Sequence, residues 1–160
     1  MTRLALCVEY DGSGYSGWQR QRHADSVQAR LEDAIGAIAR HPVEVVAAGR
    51  TDAGVHACAQ VVHFETSAVR PDRAWVRGVN SHLPPDIGTR WVAAPGEDFD
   101  ARRSGLSRSY RYLLLDAPLR PVLLRNRVSW TWKSLDVERM QLAAMPLIGE
   151  HDFSSFRAAA

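Results

Sequence analysis

Apolar and polar positions alternate at the start of the chain and then change period. Leu4, Leu6, Val8 and Tyr10 fall on one face of an extended segment, which predicts a strand buried on one side. Asp11-Gly12-Ser13-Gly14 closes it as a loop. Val27, Leu31, Ile35 and Ile38 then share one stripe of a helix that Asp25 or Ser26 can cap and that stops before Pro42. Residues 43–47 and 59–65 read as a second and a third strand. Pro71 opens a second helix bearing Trp75, Val76 and Val79, which ends before Leu83-Pro84-Pro85. Residues 87–92 form a fourth strand, closed by Pro95-Gly96. The order β-α-β-β-α-β predicts an α+β, ferredoxin-like domain over residues 1–100, with two helices on one face of an antiparallel sheet.

After residue 100 the pattern restarts. Residues 110–115 read as a central strand and 128–132 as a second short one. Ser134 is a cap for a helix carrying Val137, Met140 and Ala144, which Pro146 and Gly149 terminate. Residues 101–160 are therefore expected to be the beginning of a second, incomplete unit of similar kind.

Composition adds three constraints. No apolar run approaches the roughly 20 residues that span a bilayer, and the N-terminus lacks a signal-peptide core. Two cysteines, Cys7 and Cys58, make no disulfide framework, so a reducing cytoplasm is expected and both thiols read as small core residues. Charge is uneven: residues 1–100 carry 10 Arg against 13 acids, whereas residues 101–160 carry 9 Arg and Lys133 against 5 acids. Arg102, Arg103, Arg108, Arg111, Arg120, Arg125 and Arg127 follow one another with Asp116 the only acid among them. Such a run is a solvated basic face or, more sharply, a surface for phosphate.

The segment AGRTDAGVHA, residues 48–57, is longer than a tight hairpin needs. One reading is structural, with glycines permitting unusual backbone angles, Asp52 bonding its own backbone and Arg50 as a surface partner. A metal centre of Asp52, His56, Cys58 and His63 has poor spacing, because Cys58 and His63 face opposite ways on one strand; both histidines read better as packed or hydrogen-bonded side chains. Zinc-deaminase, nucleophile-elbow and phosphate-loop motifs are missing. An RNA-recognition motif is disfavoured too, since strands 1 and 3 lack its paired aromatics. There remains an ionised carboxylate beside an arginine, able to form covalent adducts with sugars or electron-poor rings without a cofactor.

AGRTDAGVHA followed by QVVHFET resembles the signature of the tRNA pseudouridine synthase A family. YDGSGYSGWQRQ at 10–21, SVQARLEDAI at 26–35, FDAR at 99–102, YRY at 110–112 and GEHDFSSFRA at 149–158 extend the likeness, in order, along the chain. The resemblance implies two ferredoxin-like halves with a basic cleft, a cytoplasmic homodimer, and isomerisation of uridine at positions 38, 39 and 40 of the tRNA anticodon stem-loop. It implies neither metal nor organic cofactor. Asp52 matches the family's catalytic aspartate. Arg50 matches the arginine beside it, and Tyr110 the tyrosine that stacks on the target uracil. Read from the strand pattern alone, Tyr110 is equally a core aromatic. Arg103 stands where phenylalanine is common in the family, Pro146 falls in a helix that usually runs through, and the family's second half extends further than residue 160. A non-catalytic tRNA-binding piece of such an enzyme is the alternative.

Overall fold

The structure, a computed structural model, describes residues 1–156; Arg157 and Ala158 of the GEHDFSSFRA match lie outside them. The chain divides into two compact units, Met1–Ser109 and the residues from Tyr110 onward.

In the first unit β1 (Thr2–Tyr10) is central, flanked by β3 (Ala57–Thr66) and β4 (Ile87–Ala93), with β2 (Val46–Ala47) at the edge beside β3. All three pairings are antiparallel, as the β-α-β-β-α-β order requires. The register sets Leu4 opposite Phe64 and Leu6 opposite Val62, so both strands turn the same face inward. Against that face lie Val27, Leu31 and Ile35 of α1 (Val27–Ala39), together with Trp75 and Val79. Ser26 caps α1, accepting the Ala29 amide. The helix ends where Arg40 takes a left-handed conformation (φ 61°, ψ 28°), two residues short of Pro42.

Three elements differ from the sequence pattern. The second strand is two residues long rather than five, because α1 side chains take the Val45 backbone out of the ladder. Glu32 accepts the Val45 amide at 3.0 Å, and the Gln28 amide group donates to its carbonyl at 3.2 Å. Glu32 also accepts from Gln28 at 2.9 Å and pairs with Arg20 at 2.7 Å, so this carboxylate is buried but fully partnered. The third strand starts two residues early, at Ala57, and a bulge sets Ala57 opposite Tyr10. The second helix is a wide π-helical turn, Ala74–Gly78, that tightens into α2 (Val79–His82). A Cβ on Gly78 would come within 3.0 Å of Ile38, so the glycine lets the two helical segments approach. Cys7 is buried as expected, but Cys58 is exposed, since two-residue β2 leaves the start of β3 without a neighbour on that side.

The second unit holds β5 (Leu114–Asp116) and β6 (Ser129–Thr131), paired in parallel, and α3 (Val137–Ala144). The sequence pattern puts Tyr110 on a strand; the strand is three residues long and begins at Leu114, the stretch that β6 pairs among the described residues. Asp136, not Ser134, caps α3, accepting the Arg139 amide at 2.9 Å. Pro146 then forms part of a short 3-10 turn. Among the described residues no helix is long and apolar enough to cross a membrane.

Candidate active site

The β2–β3 connection is held by the core at several points. At its start the Ala48 amide donates to Val61 at 2.9 Å, and Gln60 donates a side-chain N–H to the Gly49 carbonyl. In its middle the Thr51 carbonyl accepts the Trp18 amide at 2.9 Å, and the Thr51 hydroxyl bonds the Tyr10 hydroxyl at 2.8 Å. Trp18 is 1% exposed and its ring lies 5.8 Å from that of Tyr10, so the loop is tied to the packed end of β1. Burial raises the Tyr10 phenol above its ordinary range, against the opposing hydrogen bonds of Thr51 and Gln60; it is a neutral hydroxyl at physiological pH.

Asp52 opens a reverse turn. Its carbonyl accepts the Val55 amide at 3.2 Å, and Gly54 takes the positive φ of 78° that this turn needs at its third position. Gly49 has no positive φ, so only one of the two glycines serves backbone freedom. The Gly54 amide reaches the Tyr15 carbonyl at 3.4 Å. At the exit His56 takes the Gly12 amide on Nδ1 at 3.2 Å and stands 3.0 Å from the Asp11 carboxylate. A Cβ on Gly12 would fall 2.0 Å from the Val55 carbonyl oxygen: the 11–15 loop and the Asp52 loop are in direct backbone contact.

The outcome is an exposed carboxylate on a pinned loop. Asp52 and Arg50 both face solvent, and among the described residues neither side chain has a hydrogen-bond or ion-pair partner. They share the loop but form no ion pair with each other, contrary to a simple surface pair. The carboxylate makes no Asx-type bond to its own backbone either; the turn is closed by main chain alone. A carboxylate oxygen left open at a fixed position is free to meet an electrophile.

The remaining sequence candidates separate. His63 is buried on β3 and accepts the Ala101 amide on Nδ1 at 3.0 Å. Its partner is backbone, and burial lowers its pKa. Tyr110 lies in the second unit, 77% exposed and outside any strand. The arginine run is also divided. Arg102, Arg103 and Arg108 belong to the first unit, while Arg120 and Arg125 line a hollow of the second with Pro121, Asn126, Val128 and Trp130. Gly12, Tyr15, Gly17 and Trp18 were missed as supports of the loop, although their clustering in YDGSGYSGWQRQ was the available signal.

A family model described as tRNA pseudouridine synthase matches residues 6–102, which include the whole Asp52 loop. The protein of Hydrogenovibrio crunogenus called tRNA pseudouridine synthase A is 54% identical over 159 residues, covering 99% of this chain and 61% of its own length. Proteins of the same name from Coxiella burnetii and Citrobacter koseri are 54% and 56% identical, with 61% and 58% of their own lengths covered. The chain thus spans about three fifths of the length of the curated relatives it matches. An antiparallel sheet in this strand order, the GRTDAG loop set at its end, and this degree of identity make the chain a member of the tRNA pseudouridine synthase family.

Proposed function

We propose that the polypeptide to which this chain belongs isomerises uridine to pseudouridine at positions 38, 39 and 40 of the tRNA anticodon stem-loop, with Asp52 as the nucleophile. The observation that supports this most is the open, unpartnered carboxylate of Asp52 on a loop pinned to the core. The two structural roles open to it, a bond to its own backbone and an ion pair with Arg50, are both unfilled among the described residues. In this reading the flipped uridine presents either C6 of its ring or C1′ of its ribose to Asp52. The covalent adduct forms, the N1–C1′ bond breaks, and the uracil turns. C5 bonds to C1′, the C5 proton is lost, N1 ends protonated, and Asp52 is released. No oxidant, reductant or second substrate enters the balance.

Arg50 has a free guanidinium on the same loop, suited to a phosphate beside the flipped nucleotide. Tyr110 is an exposed aromatic suited to stacking on the uracil. Flipping costs a few kcal/mol of unstacking, which basic side chains offset through the backbone. The enzyme works in the cytoplasm as a homodimer and takes no cofactor in this reading.

The test is release of tritium from C5-labelled uridine in unmodified tRNA by the full-length enzyme, with Asp52→Asn alongside. Loss of release in the variant with tRNA binding kept is the expected result. Release that persists removes Asp52 from the chemistry. The chain covers only part of its relatives, so a second reading, a tRNA-binding piece without turnover, is tested by running this chain in parallel. Binding without release there, with release by the longer protein, favours it for the shorter one.

A further inference from the structure

Arg108 belongs to the run of arginines that the sequence offers to phosphate, yet its guanidinium is engaged with the protein's own backbone. Nε and Nη2 both donate to the Ala48 carbonyl, at 3.1 and 2.6 Å, and Nη2 also reaches the Arg102 carbonyl at 3.2 Å. These bonds commit three of the five N–H donors of the fork and leave only the Nη1 pair. Ala48 is the first residue after β2, and its own amide is held by Val61. A Cβ on Gly49 would lie 3.5 Å from Arg108 Nε and 3.8 Å from Cδ, so the side chain runs along the Gly49 backbone. Gln60 grips the Gly49 carbonyl. The backbone at Ala48 and Gly49 is therefore fixed from several sides just before Arg50 and Asp52 emerge.

We propose that Arg108 is a positioning residue for the Asp52 loop, aiming the carboxylate by clamping Ala48 to the 102–108 segment, and that it is not an RNA-phosphate contact. The inference rests on Asp52 as the reacting group. The clamp is a charge-assisted, two-pronged bond to one carbonyl, which a planar fork makes and a lysine ammonium does not. A misaimed nucleophile loses rate steeply, about 100-fold for a displacement near 1 Å.

The experiment compares wild type, Arg108→Met and Arg108→Lys in the full-length enzyme. For each, kcat and KM on tRNA, the salt dependence of tRNA binding, and amide hydrogen exchange across residues 48–52 are measured. The expected result for Arg108→Met is a kcat lowered about 10- to 100-fold, an unchanged KM and salt slope, and faster exchange at 48–52. Arg108→Lys, which keeps the charge but not the two-pronged bond, should leave binding unchanged as well and recover kcat only in part. A salt slope shallower by about 1 with kcat untouched makes Arg108 a phosphate contact and overturns the proposal. If wild type shows no turnover, the Asp52 reading fails, and the exchange data still decide: unchanged protection at 48–52 removes the clamp.

Discussion

The amide of Trp18 donates to the carbonyl of Thr51 at 2.9 Å, joining the largest buried side chain of the β1–α1 connection to the residue that precedes Asp52. This bond is possible because residue 17 is glycine. Gly17 has φ 96°, and a Cβ there would sit 2.8 Å from the Thr51 carbonyl oxygen and 3.2 Å from the Asp52 carbonyl carbon. Gly17→Ala therefore combines a strained backbone with a clash against the very peptide that carries Asp52. The expected outcome is a loss of about 1–3 kcal/mol in stability and a fall in uridine isomerisation larger than any fall in tRNA affinity. Urea unfolding together with kcat and Kd on tRNA would show it. Equal turnover by the variant would mean that the loop does not need this anchor.

Arg40 holds the left-handed position that ends α1, a place where glycine carries no Cβ penalty. Its side chain is exposed and makes no bond among the described residues that glycine would remove. Arg40→Gly is expected to raise stability by about 0.5–1 kcal/mol, seen as a higher urea midpoint at unchanged slope. A lower midpoint would show that the arginine contributes packing that outweighs its backbone strain.

Glu32 illustrates a polar group whose removal should cost more than its charge suggests. It is the shared acceptor of the Val45 amide, the Gln28 amide group and the Arg20 guanidinium. Glu32→Ala leaves the buried Val45 N–H and the Gln28 side chain short of an acceptor, a loss of about 2–4 kcal/mol. Thermal unfolding is the check. A shift no greater than that of an exposed Asp33→Ala control would show that water replaces the carboxylate without penalty.

Much of the fold could be read from period alone, because β1 and α1 each pack one face on the core, with Ile38 at the end of the helix stripe only half-buried. Leu4, Leu6, Val8 and Tyr10, and Val27, Leu31 and Ile35, are all in the core that their spacing indicates. What could not be read depends on partners distant in sequence. Residues 43–45 have strand-like composition, but α1 side chains meet the Val45 backbone groups. Arg108 looks like its neighbours in a basic run, and only the tertiary fold reveals Ala48 beneath it. The Asp52 loop was visible as a motif, whereas its anchorage to Tyr10, Tyr15 and Trp18 was not, since no local pattern encodes contacts 33 to 41 positions apart.

Tyr15 should govern part of the alkaline limb of stability. It is buried and donates to the Asp86 carboxylate at 2.7 Å. Burial first, and then that hydrogen bond and the Asp86 charge, push its phenol well above the ordinary tyrosine range. The folded state therefore keeps the proton after the unfolded chain has lost it. The contribution is whole below about pH 10, the unfolded value, and is lost as pH rises beyond that. Tyr15→Phe is expected to flatten this decline and to cost about 1 kcal/mol at neutral pH through the missing bond. An identical alkaline slope in wild type and variant would assign the limb to other groups, Tyr10 first among them, since burial raises its phenol too.

His63 gives the opposite limb. Its Nδ1 accepts the Ala101 amide at 3.0 Å, which only an imidazole unprotonated at that nitrogen can do. Burial, the largest influence, lowers its pKa below the usual value; Arg3 acts the same way, and Asp100 and Glu65 act against it. The unfolded chain thus takes up a proton before the folded one does. The contribution is present above about pH 6.5 and is lost as pH falls below it. His63→Gln keeps an acceptor for Ala101 but removes the titration, so its stability should hold nearly level between about pH 6.5 and 5 while that of wild type declines. Chemical unfolding at four or five pH values across this window is sufficient. If both proteins decline in parallel, His63 does not set the acid limb, which then belongs to the carboxylates. If only wild type declines, the segment that carries Arg102 and Arg108 is fastened to the sheet by a neutral histidine, and loosening it in acid should also speed amide exchange at Ala48.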